Sequence, residues 1–164
     1  MTRTTAGCAG RGVISLAETV AEVQRVSSLL AHLFSLEGAS DRTYDEALFT
    51  TFNVDLGFFE ARVLGMARAA GAAVTVLADA SVYSPDARSL KGAGASYHVG
   101  LAAARAAFHP KVTVLVGPER VLAAVGSGNL TTGGWLSNDE TLTVALGSAR
   151  DGVPAIVTDI AAWL

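Results

Sequence analysis

One cysteine, Cys8, stands in 164 residues, so no disulfide can close within the chain, which fits a reducing compartment. Long apolar runs are also missing. No segment offers roughly 18 uninterrupted apolar residues, so no transmembrane helix is expected. Arg3 and Arg11 enclose no apolar run long enough for a secretory signal, and a cytoplasmic location is the expectation. Charged residues make up 16% of the chain and the net charge is −3, which argues against a broadly basic nucleic-acid coat but leaves room for a local basic groove. Aromatics are scarce at 7%, so alanine and glycine carry much of the apolar half of the composition. No His/Cys/Asp/Glu grouping has the spacing of a zinc site, and no metal or other cofactor is expected. The glycines between Gly126 and Gly134 lack the lysine of a phosphate loop.

What is present reads as one domain with an irregular start. Residues 1–14 are small and polar and are expected to be a flexible N-terminus; residues 15–164 form the domain. Ser15 and Glu18 have capping-box spacing, and Leu16, Val20, Val23, Val26, Leu30, Leu33 and Phe34 recur at helical intervals, which predicts a helix over 16–36. A strand is expected over 45–52. Asp55 then caps a helix over 57–70 that turns Phe58, Phe59, Val63, Leu64 and Ala67 inward, and Gly71 closes it. The apolar run 73–78 is a second strand, completing a right-handed strand–helix–strand crossover. A polar loop covers 79–95. Further strands are expected at 96–101, 111–116, 121–125 and 140–146, and a helix from Pro154 to Leu164. No internal repeat is evident. The class is α/β, with a mixed sheet between helices.

Chemistry concentrates between His109 and Glu140. His109 and Lys111 are two apart on an expected strand, so both point to one face. An imidazole can serve as nucleophile or acid/base near neutral pH, and an ammonium beside it offers positive charge to an anionic oxygen. Ser127 and Asn129, also two apart, add neutral donors, and Gly126 and Gly128 let backbone and ligand approach closely. Glu140 can accept from the second ring nitrogen of His109 and fix its tautomer. Such a set suits a phosphoryl group. The rest of the chain offers weaker candidates. His98 and His32 read as structural or surface residues. Phe58 and Phe59 read as core. Arg105 either adds positive field at the site or ends a helix in solvent, and Trp135 either lines the cleft or closes the core.

These residues resemble the phospholipase D superfamily, whose pattern is His-x-Lys-x4-Asp, then Gly-Ser-x-Asn, then a glutamate. His109-Pro110-Lys111, Gly126-Ser127-Gly128-Asn129 and Glu140 match in order, with flanks like those of the bacterial branch. Two positions depart. The pattern's aspartate falls on Val116, with Glu119 nearby in sequence, and the interval from Lys111 to Gly126 is about three residues long, read as a longer hairpin turn. The resemblance implies a phospholipase D-like half: a mixed β-sheet flanked by helices on both faces, with one motif copy. It implies metal-free phosphodiester cleavage in two steps. His109 would form a phosphohistidine, Lys111 and Asn129 would bind phosphate oxygens with Ser127 and Gly128 assisting, and Glu140 would hold the imidazole. Because the site needs two motif copies, either a homodimer or pairing with a second such half is expected. The end at Leu164 leaves the second option open. Nucleic acid is the expected substrate. The alternative, favoured by Val116, is a catalytically impaired module for dimerisation or nucleic-acid docking in a larger defence or repair protein. Lipid hydrolysis lacks any amphipathic membrane-facing stretch.

Overall fold

The structure, a computed structural model, describes residues 16–17, 22–35, 43–85 and 90–163. Cys8 and the expected flexible N-terminus lie outside them. Seven strands form one mixed sheet: β2 (Glu22–Arg25), β3 (Glu46–Thr51), β4 (Ala73–Asp79), β5 (His98–Ala102), β6 (Val112–Val116), β7 (Arg120–Gly126) and β8 (Thr141–Ser148). Their order across the sheet is β2-β8-β7-β6-β3-β4-β5. β3, β4 and β5 are parallel, and every other neighbouring pair is antiparallel. A short parallel pair joins β1 (Leu16–Ala17) to β9 (Val153–Pro154).

The crossover between β3 and β4 follows the pattern read from sequence. The Asp55 carboxylate accepts from the Phe58 N–H at 2.9 Å and starts α2 (Leu56–Arg62). A one-residue irregularity at Val63 separates it from α3 (Leu64–Ala69), so the single helix expected over 57–70 is two short ones. Gly71, at φ 99°, supplies the left-handed residue that turns the chain into β4. All five residues predicted to face inward are buried. Phe59 meets Phe49 of β3 edge-on at 5.3 Å between ring centroids, and Trp135 closes the same core at 6.2 Å from Phe49.

The helix expected over 16–36 is corrected. Leu16–Ala17 and Glu22–Arg25 are strands, and α1 covers only Val26–Ser35. β2 pairs with β8 from Glu22 opposite Val144 to Arg25 opposite Thr141, satisfying backbone groups that β8 would otherwise leave at a sheet edge. Val23 fits the helical period but is β-branched, and the open edge decides between the two states. Ser15 and Glu18, the ends of the expected capping box, lie outside the described residues, as does the side chain of His32. α4 (Ala155–Trp163) lies over the opposite sheet face from α1, α2 and α3, so helices flank both faces. His98 is exposed at the start of β5.

Candidate active site

His109 and Lys111 precede β6 rather than lying within it. Pro110 has no N–H to give a ladder, and sheet pairing begins where the Gly126 N–H donates to the Lys111 carbonyl at 3.0 Å. Upstream, the backbone N–H of Phe108 donates to the Asp79 carboxylate. Asp79, buried at the end of β4, also accepts from the Ser81 N–H at 2.7 Å and from the Ser81 hydroxyl. The Ser81 hydroxyl and the Phe108 N–H hold its carboxyl below the usual aspartate range, against the opposing pull of burial. Asp79 therefore clamps the strand end that delivers His109. In sequence it reads only as the first residue of a loop; an acid closing an apolar strand was the available signal.

The Lys111 Nζ lies 3.0 Å from His109 Nδ1 and 3.4 Å from Nε2, and donates to the His109 carbonyl at 3.3 Å. Contact with both ring nitrogens means the ammonium sits across the imidazole instead of on one lone pair. Phe52, just past β3, meets the imidazole from another direction, with centroids 4.6 Å apart. Burial pulls the Lys111 ammonium below its ordinary value, and the Glu140 carboxylate works against that pull.

The turn after β7 brings in Ser127 and Asn129. The Asn53 N–H donates to Asn129 Oδ1 at 3.3 Å. The Thr51 hydroxyl lies 3.4 Å from the same oxygen, donates to the Asn53 carbonyl at 2.7 Å and accepts from the Leu130 N–H at 3.0 Å. With Oδ1 engaged, the amide nitrogen of Asn129 is the end left to donate to a ligand. The glycines here serve packing. A Cβ on Gly128 would stand 2.4 Å from the Gly134 carbonyl oxygen, and one on Gly134 would stand 2.2 Å from that of Asn129. The turn of π-helix at Gly133–Ser137 thus seats directly against the loop that carries Asn129.

Glu140 has partners other than the imidazole expected for it. Its carboxylate accepts from the Ser127 hydroxyl and, at 3.4 Å, from the Asn138 amide. Those two bonds hold its carboxyl below the usual range; burial opposes them and the Lys111 charge adds to them. Strand order explains the change of partner. Glu140 leads into β8 and His109 into β6, with β7 between them, so their backbones stand about two strand spacings, roughly 10 Å, apart. Ser127, at the end of β7, is the nearer partner.

The other sequence candidates separate cleanly. Val116 ends β6 at the opposite end from Lys111, a separation of roughly 17 Å along the strand, and is 42% exposed. Glu119 lies in the hairpin at that same remote end, where its carbonyl accepts from Ala149, so it cannot stand in near His109. The hairpin itself is tight: β6 and β7 are separated by residues 117–119, and the Gly117 N–H donates to the Arg120 carbonyl at 2.9 Å. The extra length after Lys111 therefore lies in the paired strands and not in a longer turn. Trp135 belongs to the core. Arg105 is exposed in the segment between β5 and His109.

No protein-family model and no curated protein matches the sequence. Solved structures do match. Nuc from Salmonella typhimurium, a phospholipase D family member, is similar over 87% of this chain and 90% of its own, at 16% identity and a TM-score of 0.56. Polyphosphate kinase from Porphyromonas gingivalis is similar over 85% of this chain and 21% of its own, at 12% identity and a TM-score of 0.53. A yeast tyrosyl-DNA phosphodiesterase mutant is similar over 79% of this chain and 30% of its own, at 12% identity and a TM-score of 0.50. The chain thus spans less than a third of the latter two proteins and nearly all of the first. The seven-stranded mixed sheet, its flanking helices and these likenesses agree: the chain has the phospholipase D superfamily fold.

Proposed function

We propose that this protein is a phosphodiesterase that cleaves nucleic acid through a phosphohistidine, without a metal cofactor. One observation carries the reading: four segments distant in sequence converge at one end of the sheet, where an ammonium lies 3.0 Å from an imidazole beside a serine–glutamate pair and an anchored asparagine. In the first step a ring nitrogen of His109 attacks phosphorus, an N–P bond forms, and the P–O bond to the leaving group breaks. The leaving oxygen takes a proton from the imidazole of a second motif copy. In the second step water attacks phosphorus, the N–P bond breaks, and the water proton passes to that second imidazole. Lys111 and the Asn129 amide hold the non-bridging oxygens, and their fixed positions give the electrostatic stabilisation that such transfers need. In the free site Lys111 directs its protons to His109, and a phosphate would take them over.

The second motif copy comes from a second copy of this chain or from another such half, since residues 1–164 carry one. An isologous dimer would bring two such ends together across a twofold axis. Ser127 and Gly128 complete the phosphate-binding turn, and Glu140 keeps the Ser127 hydroxyl oriented and a negative charge close to Lys111. The test is hydrolysis of bis(p-nitrophenyl) phosphate in excess EDTA, wild type against His109→Ala. Turnover that falls by about a thousandfold or more in the variant is expected for loss of a nucleophile. No wild-type turnover from an intact dimer would favour a docking module instead.

A further inference from the structure

A second cleft opens beside the site just described. The parallel strands β3, β4 and β5 end together, and their carboxyl ends border a cavity of about 510 Å³. Its lining includes Phe52, Ser81 and the segment from Ala102 to Ala107. That volume is in the range of sites for small organic ligands. We propose that this cleft receives one unpaired base next to the scissile phosphate, with Arg105 on the adjoining phosphate, so that the preferred substrate is single-stranded nucleic acid. The proposal rests on the phosphodiesterase reading of His109.

The chemistry of the walls supports this occupant. Ala102, Ala103, Ala104, Ala106 and Ala107 present methyl groups and backbone, a surface that accepts a flat apolar face without demanding particular hydrogen bonds. Phe52 supplies an aromatic ring, and the same ring meets His109, so the cleft and the imidazole share one neighbour. The one acid on the lining among the described residues, Asp79, is committed to Ser81 and the Phe108 N–H. Among the described residues Arg105 is then the single cation on the lining, and it forms no ion pair with them. A ring, a methyl wall and one free guanidinium match a nucleobase and a phosphate. Aromatic stacking is tolerant of base identity but requires an exposed base face, which a duplex hides. A net charge of −3 gives long duplex little general attraction.

The test is fluorescence anisotropy with fluorescein-labelled oligothymidine, alone and annealed to oligodeoxyadenosine. It compares wild type with Phe52→Leu, Ala104→Phe and Arg105→Gln. Ala104 and Arg105 are exposed, so their substitution does not enter the core, and thermal melts check Phe52→Leu. For the single strand, Kd is expected to rise about tenfold in Phe52→Leu and Ala104→Phe. Arg105→Gln is expected to lower the slope of log K against log salt by about one. Duplex binding is expected to change less than twofold. No single-strand binding by wild type, an unchanged Kd in all three variants, or equal weakening for single strand and duplex would overturn the proposal. Chromogenic turnover by wild type reports separately on the catalytic reading. Turnover with unchanged oligonucleotide Kd sinks the cleft alone, whereas weakened Kd in the variants without turnover sinks the catalytic step and supports the cleft.

Discussion

The two ends of β6 carry two parts of one sequence pattern and have opposite characters. At the Lys111 end, backbone ties from Asp79 and Gly126, the Phe52 ring and the Asn129 anchor surround two ionisable side chains. At the Val116 end, an exposed valine leads into a tight hairpin, where a Cβ on Gly117 would stand 2.2 Å from the Thr43 carbonyl oxygen. The first end holds groups that can meet a phosphate; the second is scaffold. A pattern that is continuous in sequence is therefore split in space, and a departure at Val116 removes nothing from the neighbourhood of His109.

Substitutions can break or sharpen this contrast. The largest effect after His109 is expected at Asn129. Asn129→Ala removes a donor held by Asn53, and kcat should fall about 10²- to 10³-fold on a chromogenic phosphodiester. Glu140→Gln should have a smaller effect, about tenfold in kcat/KM, because glutamine can still accept from Ser127 but no longer places a charge beside Lys111. The same variant has a signature in stability. The folded state lowers the Glu140 carboxyl, so its stabilising effect is complete above the unfolded-state value and is lost as pH falls through the folded-state value. Thermal melts at pH 7 and across the acid range should therefore show a shallower acid-side decline for Glu140→Gln than for wild type. The smallest effect is expected at the far end of the strand. Val116→Asp, which places the pattern's aspartate at that position, should leave kcat/KM within about twofold; a gain of tenfold or more would erase the distinction between the two ends.

Much of this arrangement was legible in the chain itself. The His109–Lys111 pair, the Gly126–Asn129 turn and the Asp55 cap depend on spacing of a few residues, and local backbone geometry decides them. The Ser127 partner of Glu140 was not legible, because spacing alone does not reveal that β7 inserts between β6 and β8. Asp79 was missed for a related reason: its partner Phe108 lies far along the chain and is brought near only when β4 and the β6 lead-in become neighbours. At the N-terminal end Val23 satisfied a helical period, yet the unpaired edge of β8 drew Glu22–Arg25 into the sheet. Each miss reflects a contact between distant segments overriding a sound local preference.

The most direct test of the account is the covalent intermediate on His109. Wild-type protein mixed with a phosphodiester, stopped within milliseconds in alkaline denaturant and digested, should yield a phosphoryl adduct located by mass spectrometry on the peptide containing Phe108-His109-Pro110-Lys111, absent from His109→Asn. An active wild-type enzyme with no adduct on that peptide, or with the adduct on another residue, would contradict it.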